Sequence, residues 1–237
     1  MTHSESKVKK AAPKRPAASK RPTLCRVGRP TDPQKDRDIL GAAQALLFAA
    51  GPEAITMEKV AREAGVSKVT LYARYTNRHH LMCALLLAAV SNVATDIHSS
   101  LGRVPRDTAE LREDLIHFAD LVAAFLCSDA YQHLIQAISA IPKDMLDMTE
   151  IYRNGPDRTH RLLTDYLAVV AKQRLLQCAE PKAGAELLMG MILGLDLVRG
   201  QYRTPFERRT PRARRVHTGR VVDAFLLIHG ARPASRS

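Results

Sequence analysis

The fold is decided by residues 56–75, which read TMEKVAREAGVSKVTLYARY. Apolar residues from Met57 to Ala64 recur at the three- and four-residue spacing of a single helix face, and Thr56 precedes them as a candidate N-cap. Gly65 can adopt the left-handed backbone conformation that ends a helix in a tight turn, and Ser67 then offers an N-cap to a second short helix. Two short helices joined by a glycine-containing turn predict a helix-turn-helix, the motif that places its second helix in the major groove of DNA.

A longer stretch around this motif is similar to a known family. Residues 64–81, AGVSKVTLYARYTNRHHL, resemble the DNA-binding signature of the TetR/AcrR family of transcriptional regulators, commonly A-G-V-S-x-G-T-L-Y-x-Y/H-F-x-S/N-K-E-x-L. Tyr75 replaces the usual Phe and Arg78 the usual Lys, whereas Val69 replaces a Gly and His79 a Glu. The positions that match directly are Ala64, Gly65, Val66, Ser67, Thr70, Leu71, Tyr72, Asn77 and Leu81.

The resemblance implies that the second helix of the motif contacts DNA. Lys68, Thr70 and Tyr72 are best placed for phosphate or base contacts, and Val69 and Ala73 for apolar contact. An apolar side chain at Val69 either contacts a thymine methyl group or weakens binding, and the sequence leaves both open. The alternative for the whole motif is a pair of core helices that never contact DNA. The predicted DNA-binding residues are Thr56, Val66, Ser67, Lys68, Val69, Thr70, Leu71, Tyr72, Ala73, Arg74, Tyr75, Asn77 and Arg78.

Helices are predicted on both sides of the motif. An apolar stripe indicates a first helix from about Pro33 to Ala50, which the resemblance places behind the helix-turn-helix. Asn77 caps a long helix from about Arg78 to Leu101, and the free amides at its start, together with Arg78, suit a phosphate group. This long helix is the one physical link between the motif and everything that follows it.

The fold class predicted for the whole chain is all-α, because the strongly periodic segments have the helical spacing and no run alternates as a strand does. We expect a disordered basic tail over residues 1–32, a three-helix DNA-binding domain over residues 33–93, and a larger helical domain for ligand binding and dimerisation over residues 94–232. The basic tail contains Arg26 and Arg29, which could follow the DNA backbone or enter the minor groove.

Apolar periodicity predicts further helices after the long one. Gly190 and Gly194 fall on one face of a strongly apolar helix, where another backbone could approach closely. In the TetR/AcrR family two C-terminal helices of each subunit form the dimer interface, so the last two predicted helices are the candidates here. The predicted ranges are 108–128, 131–141, 142–154, a helix opening at Pro156, 183–198 and 218–229.

Large apolar side chains in the C-terminal half form a candidate ligand pocket. Methionine gives such a pocket adaptable walls, and apolar lining suits a lipophilic ligand. The alternative is that these residues only pack the core. The candidate pocket residues are Phe118, Val122, Phe125, Tyr131, Met145, Met148 and Tyr152.

Positive charge is concentrated in two segments of the chain. The formal net charge is +12, of which residues 1–30 contribute +8 and residues 203–220 contribute +6, so the remainder carries 12 − 14 = −2. Concentrated basic charge indicates a polyanionic partner, most simply DNA phosphate. The alternative for the tail is a solubilising role.

Several classes of site are absent from the sequence pattern. The four cysteines are far apart, which argues against a disulfide framework and a zinc site and fits a reducing cytoplasm. His79 and His80 diverge in direction on a helix, so no metal is expected there. No cofactor motif, signal peptide or membrane span is recognised.

The prediction that follows is a cytoplasmic, homodimeric repressor that binds a palindromic operator in double-stranded DNA. A short helix reads few base pairs, and a two-fold dimer reads a palindrome. Release by an unidentified small lipophilic ligand is expected. A non-specific nucleoid-type DNA binder and an activator are the alternatives, and no enzymatic motif supports a catalytic function.

Overall fold

A computed structural model describes residues 33–202 and 204–230 of the 237-residue chain. Over those two ranges the chain forms eleven α-helices and no strand, which confirms the all-α prediction. The basic tail and its arm, predicted over residues 1–32, lie outside the described residues. The helices are α1 (Pro33–Ala50), α2 (Met57–Glu63), α3 (Lys68–Arg74), α4 (Arg78–His98), α5 (Thr108–Leu126), α6 (Asp129–Ala140), α7 (Met148–Asn154), α8 (Pro156–Lys172), α9 (Pro181–Leu193), α10 (Asp196–Gln201) and α11 (Pro211–Ile228).

The first hydrophobic core joins α1, α2, α3 and the first half of α4. Ile39 and Leu47 of α1 and Leu71 of α3 are fully buried in it. Leu134 and Ala137 of α6 belong to the same core, so the predicted DNA-binding domain packs directly on a helix of the C-terminal half.

The second hydrophobic core lies among α5, α8, α9 and α11. Phe118 of α5, Leu167 of α8 and Phe225 of α11 are completely buried there. Helix α11 packs mainly on α5 and α9, and α8 packs on α9. Ile97, near the end of α4, belongs to this core.

Helix α4 therefore contributes to both cores, as a helix with apolar residues around most of its circumference can. Of the described residues, only the stretch Arg78–Leu101 is long and apolar enough to cross a membrane by length and composition. Within this stretch, 56% of the most apolar 18 residues are buried against neighbouring helices. That burial is the usual state of a core helix.

Two predicted helix starts are wrong by several residues. The helix predicted from Pro142 begins at Met148, because Asp147 accepts hydrogen bonds from Thr149 N and Glu150 N at 2.8 and 3.2 Å and fixes the start there. The helix predicted from residue 218 begins at Pro211, behind the N-cap Thr210. Residues 211–220, the second half of the basic segment 203–220 (the Arg-rich segment), are therefore helical rather than a connecting stretch.

The apolar helix predicted over residues 183–198 is two helices, α9 and α10. Gly194 breaks it with a φ of 48°, a backbone conformation that glycine adopts without steric cost. No atom of the same chain would meet a methyl group on Gly190, so the close approach predicted there stays a prediction for a partner chain. Within the chain the close contact is at Gly184, where a methyl group would lie 2.7 Å from the side-chain sulfur of Cys178.

Candidate DNA interface and ligand cavity

The helix-turn-helix is built from the caps that the sequence predicted. Thr56 Oγ1 accepts a hydrogen bond from Lys59 N at 3.2 Å and starts α2. Gly65 has a φ of 65° in the turn, and Ser67 Oγ then accepts from Thr70 N at 3.0 Å and starts α3. Each cap satisfies an amide that has no partner within its helix.

One face of α3 is turned away from the rest of the chain. Lys68, Val69, Tyr72 and Ala73 are exposed on it, with Val69 81% and Tyr72 51% exposed. The spacing of these residues places them together on a single side of the helix. This surface, which we call the α3 face, carries the side chains that are free to meet the edges of bases.

Lys68 is the one cation on the α3 face, and it pairs with Glu58 of α2. The hydrogen bond and charge of Lys68 lower the pKa of the Glu58 carboxyl, and those of Glu58 raise the pKa of the Lys68 ammonium group. Both side chains are exposed, so solvent screens the pair. Lys68 can therefore exchange this partner for a DNA phosphate.

Three of the predicted DNA-binding residues pack in or against the first hydrophobic core. Leu71 is fully buried and Tyr75 is 1% exposed, because both face the core across α3 from the exposed side. Burial is the main reason that the pKa of Tyr75 is raised to about 12. Val66 is half-buried and packs against the same core. Leu71 and Tyr75 therefore fix the position of α3, and a DNA contact by half-buried Val66 stays a prediction.

Three polar residues in the predicted set hold the domain together. Arg74 Nη1 donates to Asp36 Oδ1 of α1 at 2.6 Å, with 9% of the Arg74 side chain exposed. Arg78, predicted to suit a phosphate, donates to the carbonyl oxygens of Ile55 and Pro52, each at 2.7 Å. Asn77 caps α4 by accepting from His80 N at 2.9 Å.

A cavity of about 410 Å³ lies beside the second half of α4. Helices α5 to α10 form the rest of its wall, and exposed Met148, Tyr152 and Ile135 lie around it where α6 and α7 meet solvent. The lining residues are Val90, Val93, Ala94, Ile97, Val122, Phe125, Leu126, Tyr131, Leu134, Ile135, Ile138, Met148, Ile151, Tyr152, Gly155, Pro156, Thr159, Met189, Leu193 and Leu197.

Five of the seven predicted pocket residues line this cavity, namely Val122, Phe125, Tyr131, Met148 and Tyr152. Phe118 does not, because it points into the second hydrophobic core, and Met145 packs against the first core. The contribution of α4 was missed. Its second half is apolar on more than one face, a signal that it is buried on two sides.

The cavity wall is almost entirely apolar. Its side-chain polar atoms are the hydroxyl groups of Tyr131, Tyr152 and Thr159, and Thr159 Oγ1 already donates to Gly155 O at 3.2 Å. Burial raises the pKa of the Tyr131 hydroxyl, which keeps that group neutral. None of the described lining residues is a Lys, Arg, His, Asp or Glu.

Comparison with known proteins identifies the family. A family model for bacterial regulatory proteins of the tetR family matches residues 39–85, and a model for the C-terminal domain of AefR-like transcriptional repressors matches residues 113–231. The chain belongs to the TetR family. Members of this family are transcriptional regulators and not enzymes, and the helix-turn-helix described above is their DNA-binding motif.

Individual TetR-family relatives align over most of this chain. The uncharacterized HTH-type transcriptional regulator YdeS of Bacillus subtilis (strain 168) is 30% identical over 176 residues, which cover 73% of this chain and 83% of YdeS. A structure assigned to the TetR family from Mesorhizobium loti MAFF303099 has a TM-score of 0.69 at 23% identity and covers 85% of this chain and 99% of its own. FadR from Bacillus subtilis, in complex with stearoyl-CoA, has a TM-score of 0.54 at 11% identity, covering 81% and 97%.

A buried ion-pair network holds α10 against the cavity of this TetR-family chain. Asp196 is 4% exposed, and its carboxylate accepts hydrogen bonds from Arg199 at 2.9 Å and from Arg208. Burial alone would raise the pKa of Asp196, but the hydrogen bonds from Arg208 and Arg199 outweigh it and lower the pKa. Leu197, the next residue, lines the cavity. In the described ranges no cluster of His, Cys, Asp or Glu could hold a metal ion.

Proposed function

We propose that this TetR-family chain is a homodimeric repressor that binds a palindromic operator in the cytoplasm and is released by a small lipophilic ligand. Residues 33–93 would bind the operator, and residues 94–232 would bind the ligand and the second subunit. The family match to AefR-like repressors supports repression over activation. The stearoyl-CoA bound to FadR supports a ligand with a long apolar portion.

The observation that carries this proposal is the double role of α4. Leu81 and Leu85, in its first half, are buried in the core that holds α3. Val93 and Ile97, in its second half, line the cavity. A ligand that favours a different position of the second half therefore acts on the DNA-binding domain through one rigid helix. A ligand that bound both positions equally would change nothing.

The charges of the Arg-rich segment weaken the case for a non-specific DNA binder. Four of its arginines pair with carboxylates on the body of the protein, and the side chains of two of them, Arg208 and Arg214, are only 14% exposed and so are held away from DNA. These pairs are Arg208 with Asp196, Arg209 with Asp129, Arg214 with Asp120, and Arg215 with Glu113. The α3 face, with its mixture of charge and apolar groups, fits sequence-specific contact better.

Operator binding is tested at the α3 face. We expect Lys68→Ala and Tyr72→Ala each to weaken binding to the selected operator by about tenfold, since a hydrogen bond from the Lys68 ammonium or the Tyr72 hydroxyl to a charged phosphate contributes about 1.5–3 kcal/mol. Gel-shift titration at fixed salt gives the affinity. Lys59→Ala is the control, because Lys59 is an exposed lysine of α2 outside the α3 face. Unchanged affinity in both α3 variants would refute this docking of α3.

Dimerisation is tested on the outer side of α9 and α11. Leu187 of α9 and Val216 and Leu227 of α11 are large apolar side chains that are 43%, 50% and 74% exposed. A second subunit packed on these two helices would remove them from water. We expect Leu187→Lys combined with Leu227→Lys to convert dimers to monomers in light scattering at micromolar concentration. Leu193, which lines the cavity, is unsuitable for this purpose.

The control for the dimer variant is Val104→Lys, which adds one positive charge in the loop between α4 and α5, at a valine that is 51% exposed. This variant should remain dimeric. A wild-type chain that is monomeric at the same concentration would contradict the proposal, as would a double variant that is still a dimer.

A further inference from the structure

Val69 is the side chain of the α3 face whose exposure to solvent has no role in packing the fold. It is 81% exposed, more than any other large apolar residue among those described. We propose that Val69 reads the C5-methyl group of a thymine in each half-site and so sets one base of the operator. This inference rests on the proposed sequence-specific DNA binding and adds to it a residue and a base.

The neighbours of Val69 in the first turn of α3 are already engaged. Ser67 Oγ accepts from Thr70 N at 3.0 Å and lies 2.9 Å from Thr70 Oγ1, so each hydroxyl has a local partner. Lys68 pairs with Glu58. Val69 follows directly in the chain and projects into solvent, so its two methyl groups would be the first apolar surface that α3 brings to DNA.

The apolar character of the α3 face extends beyond Val69. Tyr72, three residues on, is 51% exposed, and Ala73, four residues on, is exposed as well. Single apolar residues on a protein surface are common and need no explanation. Here three of them occupy adjacent positions on one side of a seven-residue helix, opposite the buried Leu71. That arrangement indicates a surface built to contact apolar groups.

The position of the Val69 methyl groups is fixed before DNA binds. A valine in a helix has one strongly preferred side-chain rotamer, because its branched Cβ conflicts with the preceding turn in the others. The backbone beneath it is held by the Ser67 cap, by the buried Leu71 and by the ion pair of Arg74 with Asp36. Little conformational entropy would therefore be lost on contact.

The chemistry of the major groove selects thymine as the partner. Adenine, guanine and cytosine present hydrogen-bond donors and acceptors there, and thymine alone presents a methyl group. A valine packed over a donor or acceptor would remove that group from water without a new hydrogen bond, which is unfavourable. A valine packed over a methyl group buries apolar surface on both sides.

The test removes that one methyl group from the DNA. The preferred site is first selected from random double-stranded DNA with the full-length wild-type chain, and each thymine is then replaced by deoxyuridine, which keeps every base-pairing group. We expect one thymine per half-site whose replacement weakens binding about fourfold, and about 15-fold when both half-sites are changed. Affinities are measured by fluorescence anisotropy at fixed salt.

A matched pair of variants assigns the effect to Val69. In Val69→Ala the same deoxyuridine replacement should change affinity by less than about 1.5-fold, since the contact is already lost, whereas Val104→Ala should keep the full effect. Both valines are exposed, so both variants should fold. Thermal unfolding checks this.

Four results would overturn the inference. If no thymine is sensitive to deoxyuridine, or if the sensitive thymine is equally sensitive in Val69→Ala, Val69 does not read a methyl group. If Val69→Ala weakens binding to all sequences alike, Val69 contacts the sugar–phosphate backbone. If the wild-type chain selects no sequence at all, the proposed function fails together with this inference. The first three results would leave the proposed function intact.

Discussion

Replacing Arg74 with alanine should lower the free energy of unfolding by about 3–5 kcal/mol, the range for breaking a buried ion pair by removing one partner. The guanidinium of Arg74 lies 2.6 Å from Asp36 Oδ1, and 9% of the Arg74 side chain and 17% of the Asp36 side chain are exposed. Without Arg74, the carboxylate of Asp36 would remain charged in a largely desolvated position. Asp36 lies in the first turn of α1, where the helix dipole stabilises a negative charge. This offsets part of the cost and favours the lower end of the range.

The variant Arg62→Ala is the matched control for Arg74→Ala. Arg62 also pairs with an acidic neighbour, Glu63, at 3.1 Å, but its side chain is 68% exposed. Its loss should change the free energy of unfolding by no more than about 1 kcal/mol. Urea denaturation followed by far-ultraviolet circular dichroism measures both variants at neutral pH. Equal stability of the two would show that the Arg74–Asp36 pair does not hold α3 on α1.

The helix-turn-helix could be predicted from sequence because local signals determine it. Thr56, Ser67 and Asn77 each precede a helical apolar pattern and form the predicted cap, and Gly65 adopts the predicted left-handed turn. Which polar residues of the motif contact DNA was less predictable. The bonds of Arg78 to carbonyl oxygens 23 and 26 residues away depend on how the chain folds back, and no local pattern encodes them.

The C-terminal helices show the limits of apolar periodicity. Residues 183–198 are apolar apart from Glu186 and Asp196, so their spacing does not reveal the break. Gly194 ends α9 because its φ of 48° lies outside the helical region. The cavity was predicted from residue type at five positions. Phe118 and Met145 have the same character as the lining residues, but Phe118 faces the second core from α5, and Met145 lies in the turn before α7 and packs on the first core.

A neutral ligand should bind the cavity about 100-fold more tightly than an anion of the same length. The described lining residues include no Lys, Arg or His to pair with a buried carboxylate, and burial of an unpaired charge costs several kcal/mol. A difference of about 2.8 kcal/mol corresponds to this ratio. Calorimetric titration at pH 8 measures the affinities of 1-decanol and decanoate, which have the same chain length but are neutral and negatively charged, respectively.

The pH dependence of decanoate binding follows from the same argument. As the pH falls towards the ordinary pKa range of a carboxyl group, decanoate becomes the neutral acid, so its affinity should rise while that of 1-decanol stays constant. A cation hidden behind the wall would give the opposite result, because protonation of decanoate would remove its attraction. Tighter binding of decanoate than of 1-decanol at pH 8 would therefore contradict an uncharged cavity.

A cavity-filling variant shows whether the ligand and the release of DNA belong to one mechanism. Val93 lies on α4 and lines the cavity, so Val93→Trp should abolish binding of 1-decanol. Overpacking costs about 1–3 kcal/mol of stability, and operator affinity without ligand should remain within about twofold of wild type, because the α3 face is untouched. Val104→Trp, at an exposed valine outside the cavity, should keep both ligand binding and ligand-induced release. If Val93→Trp binds no 1-decanol yet the compound still frees it from the operator, the cavity is not the effector site, since linkage requires that release be driven by binding.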